Sequence, residues 1–480
     1  MSVLQILALT GIAVLLGFLR RGRSLALAAV SALVIYWLQP AVKIDSSLSF
    51  WLPTLTLFIT VLTWVMTAPR EARSLRENWP ALAVLAGVIL FVTFSDVQPW
   101  LKFPSAVPIR FVALGLAGFL GLIFILSLLK KDNRLLLVLA ALGLLTIFIF
   151  LKSPSASTWM LNLLANLSGR APDAAIASPI AWLGYSYIAF RLLHTIRDRQ
   201  SGILPAVGLA EYLNYVIFFP AFTAGPIDRL ERFVKELREP LPLKNDDWLF
   251  AGQRLALGLF KKFILADMLA LVSIKDALVD QTLSGGWLWL TLFAYSFRVY
   301  LDFSGYTDIA IGMGRLLGIR LPENFTAPFL KPNLTQFWNS WHITLTQWFR
   351  SYFFNPVTRF LRTRERPLPF TLILLLTQTT TMLLIGLWHG ITWNFALWGL
   401  WHGLGLFVQN RWSEFARRFL PDASTPLSAS LGAGSVSRGV FHALGVALTF
   451  IYFSLGIVFF ALSTPQLSVQ ALLKLFGIAS

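Results

Sequence analysis

Residues 370–403 read FTLILLLTQTTTMLLIGLWHGITWNFALWGLWHG. An apolar run near 368–387 is long enough to cross about 30 Å of hydrocarbon, and a second near 391–408 follows with hardly a break. Neither run alternates apolar with polar residues, so neither reads as the strand of a membrane barrel. A helix, which satisfies its own backbone in lipid, is what remains. His389 stands between the runs with Gly390 directly after it, and His402 follows in the second run. An ionisable side chain at that depth is costly and is read first as functional.

Working outward, the same pattern recurs near 3–19, 24–38, 51–68, 81–94, 110–129, 134–151, 180–193, 206–222, 249–272, 287–300 and 439–462. With 56% hydrophobic and 13% charged residues over 480 positions, and a mean hydropathy of +0.68, a soluble domain is excluded. The class is an all-α polytopic, multi-pass integral membrane protein. The net charge of +17 would suggest nucleic acid in a soluble chain. Here it resides in short linkers, RRGR at 20–23, the arginines of 69–78, KKDNR at 130–134 and RTRER at 362–366, and reads as an orientation signal with no nucleic-acid partner. The basic linkers follow the first, third and fifth runs, which places the N-terminus and the polar 152–178 loop on the outer side. No basic region precedes the first run, so residues 3–19 read as a retained helix. The chain has no cysteine, which removes disulfides, cysteine metal ligands and a thioester-forming nucleophile.

Two segments, 303–320 and 334–354, do not fit simple span counting and read as re-entrant or in-plane elements, tolerated only where buried in protein or facing a wet cavity. The charged segment 228–247 reads as a helix at the membrane surface. On a helix at about 100° per residue, Trp338, Trp341, Leu345, Trp348, Phe349 and Tyr352 share one face, with His342 at its edge. His342 reads either as a packed histidine of an interfacial helix or as an imidazole kept neutral by dry surroundings. His389 reads as the start of a helix. At 13 residues' separation on one helix, His402 would point about 220° away, which argues against a shared metal site and for a structural histidine packed on Trp398 or Trp401. DFSGYTD, with Asp302, Ser304, Tyr306, Thr307 and Asp308, reads as a polar kink beside a cavity.

Together YLDFSGYTDIAIGMGRLLGIRLPENF (300–325), FWNSWHITLTQWFRSYFF (337–354) and GLWHGITWNFALWGLWHG (386–403) resemble the membrane-bound O-acyltransferase (MBOAT) family. The resemblance is nearest to its bacterial branch of alginate O-acetylation and teichoic-acid D-alanylation membrane proteins. YVIFFPAFTAGPIDRLERF (215–233) and GLFKKFILAD (258–267) support it, and it covers roughly residues 180–410. Asn339-Ser340 before Trp341-His342, and Ser351 where the family often has Asp, depart from the pattern.

The resemblance implies a multi-helix bundle with in-plane helices around a central channel. It divides the chain into N-terminal helices (1–152), a catalytic core (176–465) and a tail (466–480). It implies an acyl transfer, with acetyl expected, from a cytosolic thioester (acyl-CoA or an acyl-carrier protein) to a hydroxyl of a cell-surface or secreted polysaccharide, or to an extracytoplasmic acyltransferase partner that completes the transfer. His389 is then the catalytic base and His342 its helper. Trp338, Trp341, Asp302, Ser304, Tyr306, Asn324, Trp388, Trp393 and Asn394 are channel candidates, and Lys261, Lys262 and Arg315 are candidates for attracting an anionic donor. No metal and no tightly bound cofactor is expected. D-alanyl or lipid acylation is the alternative. A transporter would need paired broken helices in symmetric halves, which the sequence lacks.

Overall fold

A computed structural model of the chain describes all residues except 43–45, 95–106, 129–133, 168–179, 241, 283, 420–434 and 479–480. Most of the 130–134 linker, the end of the 152–178 loop and most of the Ser/Gly/Pro-rich linker after the second WHG therefore lie outside the described residues. The described residues are helical with no strand, and six helices are long and apolar enough to cross a membrane. They are Ser47–Thr67, Arg76–Phe94, Ile109–Leu126, Arg134–Lys152, Phe370–His389 and Gly439–Ala461, with Val3–Phe18 and Arg23–Leu38 as shorter apolar helices. Local signals set the ends. Ser2 and Gln5 form a reciprocal capping box that opens Val3–Phe18, and Thr464 caps a helix whose first residue is Pro465.

The chain divides into two compact units, Met1–Ala256 with Thr307–Pro322, and Leu257–Tyr306 with Glu323–Ser480. In the first, Arg23–Leu38 packs on Leu75–Phe94 and Leu209–Ile217. Its small residues Ala28, Ser31 and Ala32 are fully buried, which lets backbones approach closely. The helices Ile109–Leu128 and Arg134–Lys152 are apolar all round, with only 6% and 11% of their central windows buried, so their outer faces suit lipid.

The second unit is built on the antiparallel hairpin Phe370–His389 and Trp393–Phe419. Glycines set its spacing. A Cβ on Gly386 would stand 2.2 Å from the Phe395 carbonyl oxygen, and one on Gly399 would stand 2.6 Å from Leu383 Cα. Contact that close supplies the dispersion energy that holds helices together where lipid removes any hydrophobic gain.

Several expectations are corrected. DFSGYTD at 302–308 forms no kink: Gly285–Leu316 is one helix of 32 residues with that run inside it. Its carboxylates need no break in the helix because Asp302 pairs with Lys262 and Asp308 with Arg254. Conversely, 334–354 is not one helix. Leu334–Trp338 stops, the chain turns, and Ile343–Phe349 begins before a π-helical stretch at Arg350–Phe354. The expected loop at 152–178 contains a helix, Pro154–Leu167. Within 228–247, Leu230–Arg238 is a short helix, and a second helix starts at Asn245.

Candidate active site

His342 owes its position to the turn between the two short helices. It caps Ile343–Phe349 with φ of +44°, a left-handed conformation uncommon for a non-glycine residue. The segment from Asn324 to Thr326 holds the turn in that shape. Ile343 N donates to the Asn324 carbonyl at 2.9 Å, and Thr326 N donates to the Ser340 carbonyl at 3.0 Å. Strain held by such overdetermination clusters at functional sites.

The Asn324 side chain then fixes the imidazole. Its Oδ1 accepts from Thr344 N at 3.2 Å and from Thr344 Oγ1 at 2.7 Å, and it stands 3.3 Å from His342 Nδ1. A backbone N–H only donates, so the amide oxygen must face this cluster. Nδ1 of His342 therefore carries the hydrogen, and the lone pair of the neutral ring lies on Nε2. The ring is buried and meets Phe303 edge-on at 4.6 Å between centroids.

His389 is the last residue of Phe370–His389, not the first of the next helix as expected. Gly390 follows in extended conformation, and a Cβ there would stand 2.7 Å from the Phe395 ring. The half-buried His389 ring lies among Phe395 (5.9 Å), Trp398 (5.6 Å) and Phe460 (4.9 Å). Trp388 meets both histidines, with its ring 4.6 Å from His389 and 6.0 Å from His342. Two histidines 47 positions apart, one with a fixed tautomer and one at a half-buried helix end, make a pair suited to moving a proton in dry surroundings.

His402 lies on the following helix, so the angular argument that separated it from His389 does not apply. Both rings contact Trp398. His402 packs on Trp398 and Trp338 at 4.9 and 5.0 Å, as expected of a histidine held by packing. Neither of its nitrogens has a hydrogen-bond partner among the described residues.

The remaining candidates scatter. Trp341 joins an aromatic cluster with Phe329, Phe337 and Phe453. Trp338 borders a cavity of about 150 Å³ together with Asn339, Arg350 and Gln378; neither His342 nor His389 borders it. Ser304 and Tyr306 are buried in the long helix. Asp302 and Lys262 form an ion pair at 2.5 Å. Lys261 opens the π-helical stretch Lys261–Ala266. Arg315, in the first unit, pairs with Asp247 at 2.7 Å. Asn394 ties its helix to the Leu462 carbonyl at 2.6 Å, which is a packing task. Trp393 is 78% exposed at the start of its helix. Thr344, Phe303, Phe395 and Phe460 were missed as neighbours of the pair, because only the tertiary fold brings them there.

Among the described residues no group of three or more His, Asp or Glu side chains is placed to hold a metal ion.

The helical bundle with a histidine pair at a broken helix defines an all-α membrane protein with a candidate proton-transfer site. The profile of the membrane-bound O-acyltransferase family matches residues 174–453, and the chain belongs to that family. It is 30% identical over 244 residues to a teichoic acid D-alanyltransferase of Streptococcus thermophilus, covering 49% of this chain and 58% of that one. It is 37% identical over 223 residues to a probable alginate O-acetylase of Azotobacter vinelandii, covering 45% and 42%. It is 35% identical over 217 residues to a peptidoglycan O-acetyltransferase of Helicobacter pylori, covering 44% and 39%. The chain thus spans about half the length of the relatives it matches.

Proposed function

We propose that the protein is a membrane O-acyltransferase that moves an acyl group, acetyl in the first instance, from a cytosolic thioester to a hydroxyl of a cell-envelope or secreted polysaccharide. His389 is the general base. The observation that carries this reading is the pair of imidazoles that both meet the Trp388 ring, one with its Nδ1 held by Asn324.

In the step envisaged, the acceptor hydroxyl oxygen attacks the thioester carbonyl carbon while its proton passes to the His389 imidazole. The tetrahedral oxyanion collapses, the C–S bond breaks, and the departing thiolate takes the proton from the imidazolium. A positioned base of this kind contributes about 10²–10⁴-fold. His342, with its lone pair on Nε2, is suited to accept a hydrogen bond from the acceptor hydroxyl and orient it, in place of donating to the oxyanion. Donors for the oxyanion are available in Asn324 Nδ2 and Trp398 Nε1, both buried without an acceptor among the described residues. An unmet buried donor costs about 1–3 kcal/mol, a cost that a substrate oxygen would relieve.

D-alanyl transfer is the second reading, supported by the streptococcal relative. One experiment tests both: mass spectrometry of surface glycans from cells carrying the wild-type protein and from cells carrying His389→Ala. An ester mass present in the first and missing in the second supports acyl transfer, and its increment identifies acetyl or D-alanyl. The same ester level in both sinks the base assignment.

A further inference from the structure

The first unit contains a cavity of about 800 Å³ remote in sequence from both WH motifs. It is lined by the end of Val3–Phe18, the start of Arg23–Leu38, the chain around Arg238–Leu243, Trp248 and the turn at Leu317–Gly318. Its walls are fixed by close packing: a Cβ on Gly17 would stand 2.3 Å from the Leu316 carbonyl oxygen.

Two independent features of this cavity point to an anion. The first is the N-terminus of the 16-residue helix Arg23–Leu38, whose cap, Gly22, has no side chain to accept from the first turn. Backbone N–H groups at such an end attract negative charge. Gly22, Arg23, Ser24 and Leu25 all line the cavity. Ser24 Oγ already accepts from Asn214 Nδ2 at 3.0 Å, which leaves its hydroxyl hydrogen for a ligand. The second feature is Arg23 itself. Its side chain is 8% exposed, and its Nε and Nη2 have no acceptor among the described residues. A guanidinium so deeply placed is normally paired, since burying an uncompensated charge costs several kcal/mol.

The other charges facing the cavity leave it positive. Glu211 is held by Arg238 through two bonds, at 2.6 and 2.8 Å, and also accepts from Gly208 N. Arg20 adds an exposed cation at the rim.

We infer that this cavity binds a phosphate group, held by the planar fork of Arg23 and the free N–H groups of its helix. Arg is the side chain whose geometry matches phosphate oxygens in pairs. The rim is apolar, with Phe18 67% exposed and stacked on Trp248 at 5.8 Å. That combination accepts either an anionic lipid headgroup with its chains along the helix, or the phosphates of a soluble nucleotide. This site goes beyond the acyl-transfer reading and does not depend on it.

The test measures binding, not activity. Native mass spectrometry of the detergent-purified protein, incubated with phosphatidylglycerol micelles, counts lipid adducts. Titration of the lipid-stripped protein with 3′,5′-ADP probes the soluble source. Each is run on wild type, Arg23→Gln, Arg23→Lys and the control Arg110→Gln, an exposed arginine on another helix. Loss of about tenfold or more in one probe's binding with Arg23→Gln, partial retention with Arg23→Lys and no change with Arg110→Gln support the site, and the probe affected names the source. Should Arg23→Gln not fold, the wild type decides through salt: phosphate binding here weakens by about tenfold as NaCl rises from about 0.05 to about 0.5 M. Binding of neither probe, or binding equal in wild type and Arg23→Gln and insensitive to salt, overturns the proposal.

Discussion

His194 in the first unit and His402 in the second are both sealed from solvent, at 2% and 0% exposure, yet their surroundings differ. His194 Nε2 pairs with Asp198 at 2.8 Å, and its Nδ1 meets the Tyr215 hydroxyl at 3.3 Å. His402 has aromatic rings on several sides and no partner for either nitrogen among the described residues. The same contrast extends to neighbours. In the first unit Arg191 donates from both Nη atoms to the carbonyls of Val216 and Ala221, and Asn78 ties three backbone groups. In the second, Asn324 Nδ2 and the indole N–H groups of Trp338 and Trp398 are buried without acceptors among the described residues. Polar groups spent on the backbone stabilise a scaffold. Polar groups left unspent cost about 1–3 kcal/mol each and are retained where a ligand or a proton is to be met. His342 sits between these cases, with Nδ1 engaged by Asn324. The first unit has unpartnered atoms too among the described residues, such as Asn214 Oδ1, but Arg23 is set apart by two such guanidinium nitrogens and a cavity beside them.

This contrast can be broken at several points. His389→Ala should lower thioester turnover by the purified protein by about 10²-fold or more, with unchanged expression and elution; turnover within threefold of wild type removes His389 from the chemistry. His194→Leu should destabilise by ~1–2 kcal/mol, because it removes the imidazole that bonds the largely buried Asp198 and the Tyr215 hydroxyl, seen as a lower midpoint of thermal unfolding in detergent. Asn324→Ala removes the oxygen that sets the His342 tautomer. It should cut turnover about tenfold with the apparent affinity for donor little changed, and an unaltered rate would make Asn324 a purely structural clasp. His402→Leu removes nitrogens that make no hydrogen bond among the described residues, so its thermal midpoint should equal or exceed that of wild type and turnover should stay within about threefold. A large loss of turnover there would move His402 into the working site. Trp393→Ala, at an exposed helix start, should shift neither quantity measurably, within about 0.5 kcal/mol in stability.

Much of the fold was legible. Runs such as 134–151 declare a helix through continuous apolarity, and the helix Arg134–Lys152 follows them closely. The elements misread share one cause, which is that a polar residue's effect on the chain depends on its partner. Asp302 and Asp308 looked like a kink, but Lys262 and Arg254, 40 and 54 residues away, neutralise them and the helix continues. His342 looked like one position on a regular aromatic helix, but Asn324 binds the turn around it and bends the backbone to a positive φ. His389 and His402 looked like residues of one helix, and a two-residue break after Gly390 put them on two.

The sequence by itself determined that the chain is a helical membrane protein, that its motifs are those of the O-acyltransferase family, and that His342 and His389 are its candidate catalytic groups. Hydropathy and motif spacing are local properties, and they are written along the chain. Only the tertiary structure decided that Trp388 meets both histidines, that Asn324 sets one of them, that His402 shares Trp398 with His389, and that Arg23 is buried beside an 800 Å³ cavity. Several of those facts rest on contacts between residues far apart in the chain, as His342 with Trp388 and Phe18 with Trp248. Such contacts exist only once close-packed helices have fixed their register, here through glycines at which no side chain would fit.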